Sequence, residues 1–111
     1  MKRILIFSIV CLTSIIVSLG QSVESTILPP TGYTREVCDE HSFAAYLRQL
    51  PLLPKGSKVL LYNGQEKRNQ AAAFAVVDME IGNRDLQQCA DAVMRLWAEY
   101  LWAQKRYGEI K

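Results

Sequence analysis

The chain has one histidine and three cysteines in 111 residues, and beyond its first few residues it has no excess of either charge. Lys2 and Arg3 account for the formal net charge of +2, so residues 21–111 carry as many acidic as basic side chains. A nucleic-acid binder needs a basic patch to neutralise phosphates, and that class is therefore excluded. His41 lies in no CxxC or HxxxH spacing, which argues against a metal centre. Asp78 and Glu80 stand two residues apart, but no third oxygen ligand accompanies them, and they are expected on a solvated face. No cofactor or metal is expected. After Val17 no apolar run approaches the ~20 residues that span a bilayer, so no permanent membrane span is expected.

The apolar excess sits at the start. Lys2 and Arg3 precede an uncharged run from Ile4 to Val17, and Ser18-Leu19-Gly20 places small residues at the minus-three and minus-one positions before Gln21. Residues 1–20 read as a cleavable signal peptide, and the protein is expected to be exported, periplasmic or secreted. Cys11 lies inside the apolar run, where it serves as a small hydrophobe and not as a lipidation site. Residues 21–33, QSVESTILPPTGY, contain two prolines and no periodicity, and are expected to form an extended linker. Leu28-Pro29-Pro30-Thr31-Gly32 matches the LPxTG sorting pattern, but a sorting signal works near the C-terminus ahead of an apolar stretch.

The remaining residues, 34–111, read as part of an α+β domain. Phe43, Tyr46, Leu47 and Leu50 recur at helical spacing, behind the caps Asp39 or Ser42 and ahead of Pro51, and predict a short amphipathic helix. Val59–Tyr62 is expected as a short strand. Asn63-Gly64 follows as a type I′ turn signal and opens an antiparallel hairpin, through a loose arm 65–70, to a longer strand over 72–81. Asp85 and Gln88 resemble a capping box that starts a long helix to about Tyr107. Leu86, Cys89, Ala90, Val93, Met94, Leu96, Trp97, Tyr100 and Leu101 share its apolar face, which is expected to pack on the sheet, while Asp91 and Arg95 pair on the opposite side. Trp102 falls on the polar face. It either folds over its neighbours or, as the preferred reading, meets a partner.

Cys89 has three readings. A cysteine near a helix N-terminus gains thiolate character from the partial positive charge there, and Gln88 beside it could donate an amide hydrogen bond to an oxyanion. Such a nucleophile needs a base, and the only histidine is His41. A small core residue under the first turn is the plainer reading, because free cysteine is among the most buried residue types. A disulfide with Cys38 is the third, in keeping with an oxidising compartment. The basic residues Lys55, Lys58, Lys67 and Arg68 could engage an anionic envelope polymer, although an ordinary charged loop is preferred.

The stretch NRDLQQCADAVMRLWAEYL, together with SFAAYLRQLPLLPKGSKVLLYNG, KRNQ and AVVDMEIGNRD, resembles the exported bacterial proteins classed as domain of unknown function 4846. The resemblance runs from about Leu28 to the C-terminus. It implies no activity, but it does imply longer members in which a Gly-His-Ala-type segment follows on a strand. By analogy, that strand is similar to the His-bearing strand of NlpC-type and papain-like hydrolases, with Cys89 as its partner. This chain stops at Lys111, before such a region, and Cys38 is outside the family pattern. The expectation is therefore an α+β fold of short helix, antiparallel β-hairpin and long C-terminal helix, forming the N-terminal part of a larger papain/NlpC-like domain that is inactive as a hydrolase by itself.

Two functions follow as expectations. The first is an exported envelope protein whose full-length form is a cysteine amidase acting on cell-wall peptides, with Cys89 as nucleophile and Gln88 as oxyanion donor. The second is a non-catalytic binding or scaffolding module that uses the aromatic end of the helix, Trp97, Tyr100 and Trp102, against an envelope protein or glycan.

Overall fold

The computed structural model describes residues 20–111, so the signal-peptide reading of the leader lies outside the described residues. Three α-helices occur among them, α1 (Val23–Thr26), α2 (Phe43–Arg48) and α3 (Cys89–Ala103), with single 3-10 turns at Gln70–Ala72 and Tyr107–Glu109. The expected α+β class is wrong. No β-strand forms among the described residues, and hence neither the sheet nor the hairpin exists; three isolated antiparallel bridges stand in their place.

Proline and a competing side chain explain the missing strands. Ser22 bridges Pro51 on one side and Leu52 bridges Val77 on the other, with Leu52 N–H donating to the Gln21 carbonyl (2.8 Å) and Leu53 N–H to the Val76 carbonyl (2.8 Å). Pro51 has no N–H to donate. At Pro54 the chain enters a turn closed by Ser57 N–H to the Pro54 carbonyl (3.0 Å), with Gly56 at φ +89°, a conformation that favours glycine. The pairing run therefore ends after three residues.

Val59 was expected to begin the first strand. Instead the Gln70 side-chain amide takes both of its backbone groups, accepting from Val59 N–H (2.9 Å) and donating to its carbonyl (3.0 Å). Leu61 and Lys67 N–H groups bond to the Gln65 and Val59 carbonyls around Asn63-Gly64, where Gly64 has φ +81°, but only the single bridge Leu60–Glu66 results. Residues 65–70 are thus tied back on Val59, and 72–81 meets Pro51–Leu53 rather than the segment 59–62.

Helix α2 begins where Ser42 Oγ accepts the Ala45 N–H (3.2 Å). Helix α3 begins three residues later than expected, its N-cap being Gln88 in place of Asp85, with the Gln88 N–H bonded to Asp91 Oδ2 (3.1 Å). Asp91 is thereby occupied at the cap, and Arg95 pairs with Glu99 instead (2.7 Å). The helix stops at Ala103 because Lys105 takes a left-handed conformation (φ +59°) while Arg106 N–H bonds to the Leu101 carbonyl and Lys105 N–H to that of Trp102 (both 2.9 Å). This is a Schellman closure with lysine where glycine is usual.

The core is small. Leu52, Tyr100 and Leu101 are the buried hydrophobic side chains among the described residues, with Leu101 only 1% exposed. Phe43 and Tyr46 of α2 meet Trp97 and Tyr100 of α3 in an aromatic cluster, its closest pair the T-shaped Phe43–Trp97 at 5.0 Å between centroids. Edge-to-face geometry of this kind favours the ring quadrupoles.

Candidate functional site

Cys89 is the first residue of α3 and is exposed, not tucked under the first turn. Both it and Cys38 are free thiols, and Cys38 Sγ accepts from Arg48 (3.1 Å). Gln88 adjoins Cys89, but its side-chain amide donates to Asp85 Oδ1 (3.0 Å). His41 is elsewhere. Its carbonyl accepts the Tyr100 hydroxyl (2.8 Å), which sets it beside the fourth turn of α3. Tyr100 follows Cys89 by about 16 Å of helix rise at 1.5 Å per residue. The His41 imidazole is 74% exposed and faces Glu40 (3.4 Å). A nucleophile and base are therefore not brought together among the described residues.

Tyr100 and Trp102 are also separated. Tyr100 is buried, with its ring in the aromatic cluster and its hydroxyl bonded. Trp102 lies on the other side of the helix, 65% exposed, with its ring against Tyr107 (4.7 Å). The Tyr107 contact is a fold-over contact, and more than half of the Trp102 surface stays in solvent.

The helix face around Cys89 carries the notable chemistry. At 100° per residue, Cys89, Ala90, Val93, Met94 and Trp97 occupy an arc of about 140° that holds no charged residue. This is the stripe expected to pack on a sheet. Without a sheet it is bare: Val93 and Met94 are each 61% exposed, Trp97 44%, and Leu86 just before the helix 59%. Cover begins toward the C-terminal end of the stripe, where Leu96 is half-buried, the Trp97 ring meets Phe43 edge-on, and Tyr100 and Leu101 are buried. The half-buried side of the N-terminal turns is instead the polar one, where Arg95 links Glu99 to the Glu80 carbonyl.

Glu99 also accepts the Tyr46 hydroxyl (3.3 Å), joining α2 to α3. Partial burial first, then the Glu99 charge and hydrogen bond, raise the Tyr46 pKa above its ordinary value. Glu109 is held below the usual carboxylate range by its hydrogen bond to Arg106. Sequence periodicity found Tyr46 as a core position, but its tie to Glu99 had no sequence signal. Asp78 and Glu80 are exposed, Glu80 Oε1 accepting from Gly82 N–H (2.9 Å), and no group of three or more potential metal ligands occurs among the described residues.

These features define a small helix-and-loop module with an aromatic hinge between two helices and one bare apolar helix face. A family model described as domain of unknown function (4846) matches residues 23–111, and the chain belongs to that family. Comparison with curated proteins and with solved structures gave no match.

Proposed function

We propose that this domain is a non-catalytic binding module of the cell envelope that docks a helix of a partner protein on the bare face of α3. The observation that carries this reading is the uncharged arc of Cys89, Ala90, Val93, Met94 and Trp97, exposed over little more than two helical turns. Apolar patches of this kind on a soluble surface mark interaction sites. A glycan or an anionic polymer would need hydrogen-bonding or cationic groups, which the arc lacks; the ridge of a partner helix needs only complementary apolar side chains. Placement in the envelope rests on the leader-like residues 1–20, as the sequence reads. The cysteine-amidase reading keeps an exposed Cys89 at the helix start and takes its base from outside residues 20–111; the binding reading is preferred because the bare arc supports it directly.

The test is site-specific photocrosslinking in the producing cell, with the photoreactive residue at Met94 and a control at Glu40. A discrete protein adduct is expected from position 94, absent from position 40 and lost when Val93→Glu is added. Equal adducts from both positions would overturn the reading.

A further inference from the structure

A cavity of about 410 Å³ is lined by three separate stretches of chain, within residues 21–26, 52–59 and 70–76, and by no residue of α3. Hydrogen bonds pin its frame. Leu52 N–H donates to the Gln21 carbonyl and Leu53 N–H to the Val76 carbonyl (both 2.8 Å), while the Gln70 side chain holds Val59 at the other end. Between these pins the turn at 54–58 and the segment 73–75 diverge. The opening is thus built by the backbone itself, and its size falls in the range of preformed small-molecule pockets.

Its floor is apolar. Leu52 is buried, and Leu53, Val59 and Val76 are half-buried around it. The chain bends at Phe74, which stands at the rim with 80% of its surface exposed. The charged side chains of the lining are both cationic, Lys55 and Lys58, and no carboxylate joins them there. Glu66, outside the lining, faces Lys58 at 3.6 Å. Lys55 forms no ion pair among the described residues. The cavity therefore presents one uncommitted positive charge beside an apolar floor.

We propose that this cavity binds a small apolar monocarboxylate, with its carboxylate against Lys55 and its hydrocarbon body on Leu52, Leu53, Val59 and Val76, beside the Phe74 ring. A neutral hydrocarbon would leave Lys55 unused. A dianion would set two charges against one free cation. A sugar would lose its water to a floor that has no polar groups to replace it. An acid with one charge and an apolar body matches both halves of the opening.

The probe is octanoate, titrated into the full chain by isothermal calorimetry, with the backbone amides followed by NMR. Saturable binding is expected, with shifts at Leu53, Lys55 and Val76 and none at Val93 or Met94. Octanol and acetate each keep one half of the probe, and each should bind at least about tenfold more weakly. Lys55→Gln should weaken octanoate as much, whereas Lys67→Gln, outside the lining, should leave it unchanged. Absence of saturation would overturn the proposal. So would octanol or acetate binding as tightly as octanoate, an equal loss in the two lysine variants, or shifts confined to the α3 face.

Discussion

Val59 has its N–H and its carbonyl bound by the amide of Gln70, a side chain doing what a neighbouring strand does in a sheet. One residue therefore closes a loop that sequence patterning left open. The same amide donates to the Lys67 carbonyl (2.6 Å). Gln70→Ala is expected to lower stability by about 1–3 kcal/mol, because it leaves the part-buried Val59 N–H without a partner, while the Val59 carbonyl keeps the Lys67 N–H. Urea denaturation measures this; a change within about 0.5 kcal/mol would show that water replaces the amide at no cost. Nothing in the pattern around Gln70 distinguished it from other polar loop residues, since its partner is eleven positions away. Ser42 is the opposite case. Its role as a cap was legible because a cap's partner lies three residues on.

Helix α3 shows the same division at the level of an element. Its apolar periodicity was plain, but both ends were misplaced. The start moved to Cys89 because Asp91 satisfies the Gln88 N–H, and the end moved back to Ala103 because the chain turns left-handed at Lys105. A lysine there has the steric cost of its Cβ, which glycine lacks. Lys105→Gly is accordingly expected to stabilise the protein by about 0.5–1 kcal/mol, relieving that strain against a larger loss of unfolded-chain entropy. A thermal melt reads the change as a higher midpoint. A lower midpoint would mean that the lysine side chain contributes more than its backbone costs.

Across the whole molecule, what joins α2 to α3 is the aromatic cluster and the bond from Tyr46 to Glu99. Tyr46 has a raised pKa, so its neutral form is favoured when folded. The stability it contributes is fully present below the unfolded tyrosine value of ~10 and is lost as pH rises through the higher folded value. Alkaline titration followed by Trp97 fluorescence should show the contact between the helices loosening above ~pH 10. In Tyr46→Phe that part of the pH dependence should vanish, because no hydroxyl remains to ionise beside Glu99. A profile identical in both proteins would place the alkaline transition elsewhere.

Local order in this protein follows from neighbours in the chain. The helical periods of α2 and α3 and the apolar stripe were readable from the residues, because each depends on spacings of a few positions. The type I′ turn expected at Asn63-Gly64 did not form, the turn there being closed by Gly64 N–H on the Leu61 carbonyl without a positive φ at Asn63. Pairing did not follow in that way. Val59 and the segment 72–81 both have the composition of strands, but a strand exists only if a partner accepts its hydrogen bonds over several residues, and the partners here are cut short by Pro51, Pro54 and Gln70. Without a sheet the apolar stripe of α3 lost its cover, and Val93 and Met94, core residues by pattern, became surface. Cys89 and His41 were separated for the same reason: Tyr100 fixes His41 to the far part of the helix, a contact across 59 positions that composition and period do not encode.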